Sequence, residues 1–343
     1  MLVLSPRFCP GGSGKLNPEL PPTALPLLSA RVAPGGNKIE MMSNGLAAAV
    51  LNVTEPASTG VGGDCFALYF DAKTKQITAL NGSGRAPSGL RLDDLIAQGY
   101  TEIPERNPHA VTVPGAVAGW SDLLERHGSM TLKDVLVDAI HYAREGYPVH
   151  PVFGAAWEAS EAFLRQSPHT EDYLPGGRAP RVGQIVRLPG LANTLEAIAE
   201  DGARAFYEGA TADAIVETVR ALGGVLSHDD LREHRSTWGE GISTRYRGID
   251  VYEDPPNGQG LAALQALNIA AGWELSGMRW DSAERLHLMI EAMRLAFADA
   301  RQYIADMATN PTPVEALLSK GYAAERRTLV SPTQAMQPPT YGM

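Results

Sequence analysis

From about residue 44 onward, apolar and polar positions fall into blocks that specify elements. Asn44–Val53 is rich in Ala and Leu, the composition of a buried helix end. Gly60, Gly62 and Gly63 turn the chain into Phe66–Phe70, and the polar stretch Asp71–Lys75 separates that run from Gln76–Leu80. Two apolar runs around a short polar connection predict a β-hairpin. Helical spacing dominates afterwards. Gly115–His127 and Thr131–Glu145 are amphipathic, with Gly128 and Gly146 as stops. Thr131 with Asp134 forms a capping-box pattern in which Asp replaces Glu. Further helices are expected near 151–166, 190–201, 211–222 and 259–271. In Asp281–Ile304, Leu286, Ile290, Met293 and Phe297 recur at spacings of four, three and four. One apolar stripe of that kind predicts a face packed in the core. Thr244–Tyr252 reads as one more strand, closed by Asp254-Pro255-Pro256.

Residues 1–34 break this regularity. Pro6, Pro10, Pro18, Pro21, Pro22, Pro26 and Pro34 forbid a continuous helix or central strand, so an irregular arm is expected there. Its Gly11–Lys15 stretch has Cys9 at the first glycine position of a phosphate loop and Leu16 after the lysine, which excludes that motif. No basic leader followed by an apolar core marks a signal peptide, and no apolar run reaches the roughly 18–20 residues of a membrane span. A cytoplasmic location is the default expectation. The loop Leu174–Pro180 is too short to be a linker, so residues 35–343 are expected to form one domain.

Composition narrows the chemistry. With 29 Lys and Arg against 39 Asp and Glu, the 343-residue chain carries a formal charge of −10, which argues against nucleic acid and anionic membranes as partners. Cys9 and Cys65 cannot build a disulfide framework or a thiolate zinc site alone. His228 and His234 are six residues apart, off any shared helical face, and read as solvated polar residues at a helix start. No metal and no cofactor is expected, and no Gly-x-Ser-x-Gly elbow is present. What remains is Asn81-Gly-Ser-Gly-Arg85-Ala-Pro87, directly after the second hairpin strand. Glycines there permit close backbone approach, and Arg85 could clamp a carboxylate through its fork. On residue types alone, a plain tight turn with an exposed arginine is the favoured reading.

Several motifs, in order, resemble the γ-glutamyltransferase (glutathione hydrolase) family, specifically its large subunit. They are Asn52–Asp64, Ala110–Gly119, Asp229–Leu231, Tyr246-Arg-Gly248 with Pro255–Gly260, and Glu291–Asp299, covering about residues 44–325. Gly35-Gly36-Asn37 looks like a remnant of the family's first helix. The resemblance implies an α+β fold, the αββα sandwich of N-terminal nucleophile hydrolases, here incomplete and helix-rich. It also implies a precursor that cleaves itself before a threonine, which then begins a small subunit. That hydroxyl attacks a γ-glutamyl amide with its own α-amine as base, a plausible pairing because an α-amine titrates near pH 7.7–8.0. By the resemblance, the partners of this chain are that nucleophile subunit and a small amide substrate. Met343 lies before the expected cleavage point, so no catalytic residue is assigned here and the chain alone is expected to be inactive. The family arginine that grips the glutamyl α-carboxylate sits three residues before the Ala-Pro pair. That position is Ser83, and the nearby arginine is Arg85. Either Arg85 replaces it, or the substrate is a different amide, as for acylases of the same fold. A catalytically inactive remnant is the third expectation.

Overall fold

A computed structural model describes residues 47–56, 58–104 and 106–343. The proline-rich arm and Gly35–Asn37 lie outside the described residues, as does Cys9. Two compact units form. One comprises Phe66–Asn81 and Thr237–Met343; the other comprises the described residues up to Cys65 together with Gly82–Ser236.

The second of these units is mostly helical. Its elements are α1 (47–54), α2 (Leu92–Ala97), α3 (Ala116–His127), α4 (Leu132–Glu145), α5 (Pro151–Leu164), α6 (Pro189–Asp201), α7 (Arg204–Tyr207), α8 (Ala210–Ala221) and α9 (His228–Arg232). The capping box before α4 is present: Thr131 Oγ1 accepts from the Asp134 N–H at 3.3 Å, and Asp134 returns an acceptor to the Thr131 N–H at 2.9 Å. Helix α4 packs on α6, and Leu136, Ala139, Ala143, Ala192, Leu195 and Ile198 are all fully buried. Alanines at three of those positions let the helices approach closely, and the burial supplies most of what holds so many short helices together.

In the other unit, β1 (Phe66–Phe70) pairs antiparallel with β2 (Ile77–Asn81) in the register Phe66↔Asn81, as the hairpin pattern predicts. A strand the pattern did not predict, β5 (Thr237–Glu240), joins β2 and gives the order β1-β2-β5. The stretch 244–252 is not one strand. It is a hairpin of β6 (Ile242–Tyr246) and β7 (Ile249–Glu253), with Ile242 opposite Glu253. Arg247 and Gly248 both have positive φ, 49° and 86°, the conformation of a two-residue turn whose twist matches the flanking strands. A two-residue β3–β4 pairing (Tyr147–Pro148 with Ile185–Val186) belongs to the helical unit.

Helix α10 (Gly260–Ala270) is buried almost throughout and packs against α11 (Ala283–Tyr303). The apolar stripe expected to pack in the core is on the wrong side. Leu286, Ile290, Met293 and Phe297 are 46%, 56%, 38% and 37% exposed, while Leu288, Ala292, Leu295 and Ala296 are buried. The seam with α10 is built from alanines, Ala262, Ala266 and Ala296 among them, which allow a close helix approach that bulky side chains would prevent. Buried Glu291 and Asp299 share this inner face and are fully engaged. Glu291 pairs with Arg294 at 2.6 Å and accepts from the Met336 N–H at 3.2 Å. Asp299 pairs with buried Arg326 at 3.1 Å and accepts from Gln265, the Tyr322 hydroxyl and the Gly342 N–H. The acids of the Glu291–Asp299 motif therefore fasten the segment 336–342 to α11. Two shorter helices, α12 (Val314–Leu317) and α13 (Lys320–Arg327), complete this unit.

Candidate functional site

The glycine-rich stretch after β2 is not a tight turn. Residues 82–87 form neither helix, strand nor turn, and the turn comes at Pro87–Leu90, where the Leu90 N–H donates to the Pro87 carbonyl at 2.9 Å. Within the helical unit this segment lies against the stretch leading into α3. The Gly82 N–H donates to the Cys65 carbonyl at 2.7 Å, and Val113 N–H to the Arg85 carbonyl at 3.0 Å. On the far side, Gly115 and Ala116 N–H both donate to the Gly63 carbonyl, at 2.8 and 2.9 Å. These strands touch so closely that a Cβ on Gly84 would lie 1.5 Å from the Val113 oxygen, and one on Gly115 1.7 Å from the Gly82 oxygen. Glycine at both positions is a steric requirement of the seam.

Ser83 is half-buried in this segment and Arg85 is exposed at its end. Beyond them, Ser88 N–H donates to Asp230 at 2.9 Å, and Asp230 also forms a capping box with Ser227 at the start of α9. Burial pushes the Asp230 carboxyl up, but the hydrogen bonds from Ser88 and Ser227 outweigh it and hold the group below its ordinary range. His228 is exposed and pairs with Asp213 at 2.9 Å, as a solvated helix-start residue should. His234 is different. Its ring stacks on Tyr207 with centroids 5.7 Å apart, and its buried Nε2 has no hydrogen-bond partner among the described residues. Burial lowers its proton affinity, with Arg235 and Arg85 adding to the effect and Asp122 opposing it, so the imidazole is neutral around pH 7. The Tyr207 hydroxyl donates to the Pro114 carbonyl at 2.8 Å and accepts from Ala118 N–H at 3.1 Å, which locks the entry into α3. His234 carries no sequence signature for this role; only its approach to Gly115 reveals it.

The β-sheet unit holds a second polar feature. Glu253 and Asp254, at the end of β7, each have a buried carboxylate oxygen without a partner among the described residues. Burial raises both, Asp254 to about 6. Glu253 lies against the start of α10: a Cβ on Gly260 would sit 2.9 Å from Glu253 Oε2. A helix N-terminus favours negative charge, which partly offsets the burial. An aspartic acid that titrates near 6 is suited to proton transfer close to neutral pH. Sequence reading took Asp254 only as the residue that ends a strand before two prolines. No group of three metal-ligating side chains converges among the described residues, and no helix there is long and apolar enough to cross a membrane.

Known proteins match this arrangement over most of the chain. The glutathione hydrolase-like YwrD proenzyme of Bacillus subtilis is 37% identical over 279 residues, covering 81% of this chain and 53% of that protein. The cephalosporin acylase of Bacillus halodurans superposes with a TM-score of 0.81 at 41% identity, over 88% of this chain and 57% of that one. The γ-glutamyltranspeptidase of Helicobacter pylori does so with a TM-score of 0.80 at 25% identity, over 86% of both chains. The chain thus spans about half the length of the curated relatives it matches. Its α+β fold is that of the N-terminal nucleophile hydrolases, as the motifs imply. The gamma-glutamyltranspeptidase family model matches residues 35–343, and with the same fold and the same ordered motifs, this chain belongs to that family.

Proposed function

We propose that this chain is the large-subunit part of an amide-cleaving enzyme of the γ-glutamyltransferase type, with γ-glutamyl amides as substrates. In this reading the attacking threonine belongs to a second polypeptide of the same precursor. The matched relatives are named proenzymes and are about twice as long, which supports this division. The observation that carries the assignment is the Gly82–Pro87 segment: a backbone clamped by glycine contacts that holds half-buried Ser83 and exposed Arg85 in a fixed frame. Arg85 receives the α-carboxylate of the acyl group and Ser83 lines the space beside it. The threonine Oγ then attacks the amide carbon, its proton passes through the threonine α-amine to the departing nitrogen, and water or an amine releases the acyl-enzyme. This chain contributes binding and orientation rather than the nucleophile.

The test uses the complete precursor. Glutathione and a glutaryl amide are compared as substrates, with the Arg85→Gln and Ser83→Arg variants. Arg85→Gln should raise KM for glutathione by about tenfold or more, the scale of losing a charged pair, and Ser83→Arg should lower it. Unchanged KM in both variants refutes the assignment of this loop. The 343-residue chain alone should give no stoichiometric burst with a γ-glutamyl anilide; a burst would overturn the two-polypeptide reading.

One observation favours a second reading. Ser83 stands where the motif places the carboxylate-gripping arginine, and the cephalosporin acylase is 41% identical. On that reading the enzyme cleaves an amide whose acyl group lacks the α-amino-acid end, and the glutaryl amide will be the better substrate.

A further inference from the structure

A cleft of about 610 Å³ opens in the helical unit between α5 and the loop 175–184. Its floor is one face of α5, where Pro151, Gly154, Ala155 and Glu158 follow at helical spacing. Small residues at the two middle positions give it depth. The opposite wall is held in place from several sides. Ala179 N–H donates to Glu161 Oε2 at 2.9 Å, Gly183 N–H to the Val149 carbonyl at 2.8 Å, and the buried Trp157 indole to the Tyr173 carbonyl at 2.8 Å. A wall fixed in this way does not have to be ordered by a ligand.

Four charged side chains line the cleft: Glu158, Glu161, Arg178 and Arg181. Glu161 is already neutralised by Arg165, at 2.6 Å on the same helix, and by the Ala179 amide. No hydrogen bond or ion pair is made by the side chains of Glu158 or Arg181 among the described residues, and Arg178 acts on Glu161 only at longer range. The charge left to meet a ligand is two guanidinium groups and one carboxylate. Its complement is a molecule with two carboxylates and one ammonium. The volume lies within the range of small-molecule sites and exceeds that of a single amino acid, which suits a short peptide. We propose that this cleft is a binding site for short acidic peptides carrying one free ammonium and two carboxylates, with Arg178 and Arg181 on the carboxylates and Glu158 on the ammonium. Forked arginine–carboxylate contacts supply the selectivity. This inference rests on the cleft alone and does not depend on the amide-hydrolase reading.

Titration calorimetry on the 343-residue chain tests it, with γ-glutamylglycine as probe and glycylglycine, which lacks the second carboxylate, as comparison. The dipeptide with two carboxylates should bind in the millimolar range or tighter, and glycylglycine about tenfold more weakly. Arg181→Gln and Glu158→Gln should each weaken γ-glutamylglycine about tenfold without moving the melting temperature, since both side chains are exposed. Binding that is lost in Arg85→Gln but kept in both cleft variants would place the peptide at the 82–87 segment and overturn the proposal, which separates its failure from failure of the catalytic-loop assignment. Undetectable binding at millimolar peptide, equal affinity for the two peptides, or insensitivity to both cleft variants would each overturn the proposal.

Discussion

One glycine and one aspartate carry sharp single-residue consequences. Gly84 cannot accept a methyl group, because its Cβ would fall 1.5 Å from a backbone oxygen that no rotamer change can move. Gly84→Ala should therefore destabilise the helical unit by about 2–4 kcal/mol or prevent its folding. Denaturant unfolding followed by Trp fluorescence measures this; a loss below about 0.5 kcal/mol would mean that the seam is loosely packed. Asp254 has the opposite character, a native residue that works against its own fold. Burial raises its carboxyl from 3.8 to about 6. Between those values the unfolded chain binds fewer protons than the folded one, so stability falls as pH rises through that window and stays reduced above it. Asp254→Asn should remove this slope and stabilise the β-sheet unit near pH 7 by on the order of 2–3 kcal/mol. Melting temperatures measured from pH 4 to pH 7 would show parallel profiles for the two proteins if Asp254 does not titrate there.

At the scale of elements, α11 is the informative case. Its amphipathic pattern selects two apolar sides, and periodicity alone favours the one with the larger side chains. The seam with α10 instead takes the alanine-rich side, because close approach of two helices and full engagement of Glu291 and Asp299 require small neighbours. The bulky stripe Leu286, Ile290, Met293 and Phe297 is left facing outward, beside Met289 at 46% exposure. Exposed apolar side chains grouped along one helix are the kind of surface a partner chain covers. If the second polypeptide of the precursor covers it, Ile290→Lys should leave the melting temperature of the 343-residue chain unchanged, reduce its aggregation, and impair subunit association in the full precursor. Light scattering and co-purification of the two polypeptides read both arms. Normal association of the Ile290→Lys precursor would place the second polypeptide elsewhere. The Arg247-Gly248 turn teaches a related lesson. A dipeptide with two positive φ values splits the nine-residue stretch 244–252 into a hairpin, and Arg-Gly is a weaker signal for that turn than Asn-Gly.

Taken as a whole molecule, the chain distributes its polar chemistry over two units. The helical unit carries the Ser83–Arg85 segment, His234 and the charged cleft along α5. The β-sheet unit carries the buried Glu253–Asp254 pair and the network that ties residues 336–342 to α11. The family's motifs are spread over both, and several of them are structural. The acids of Glu291–Asp299 anchor backbone, and Gly115 of Ala110–Gly119 makes a seam possible.

Sequence by itself determined the hairpin at Phe66–Asn81, the capped helix at Thr131, the long helix near residue 283 and the membership in an N-terminal nucleophile family, because caps, turns, periodicity and ordered motifs are local signals. Tertiary structure alone decided which face of α11 is buried, that residues 82–87 are clamped against the approach to α3 rather than forming a turn, and where β5 pairs. It also decided that His234 and Asp254 lose their solvent while His228 keeps it. Those outcomes depend on which distant backbone arrives beside a side chain, and on the cost of withdrawing a polar group from water, neither of which is written in any window of neighbouring residues.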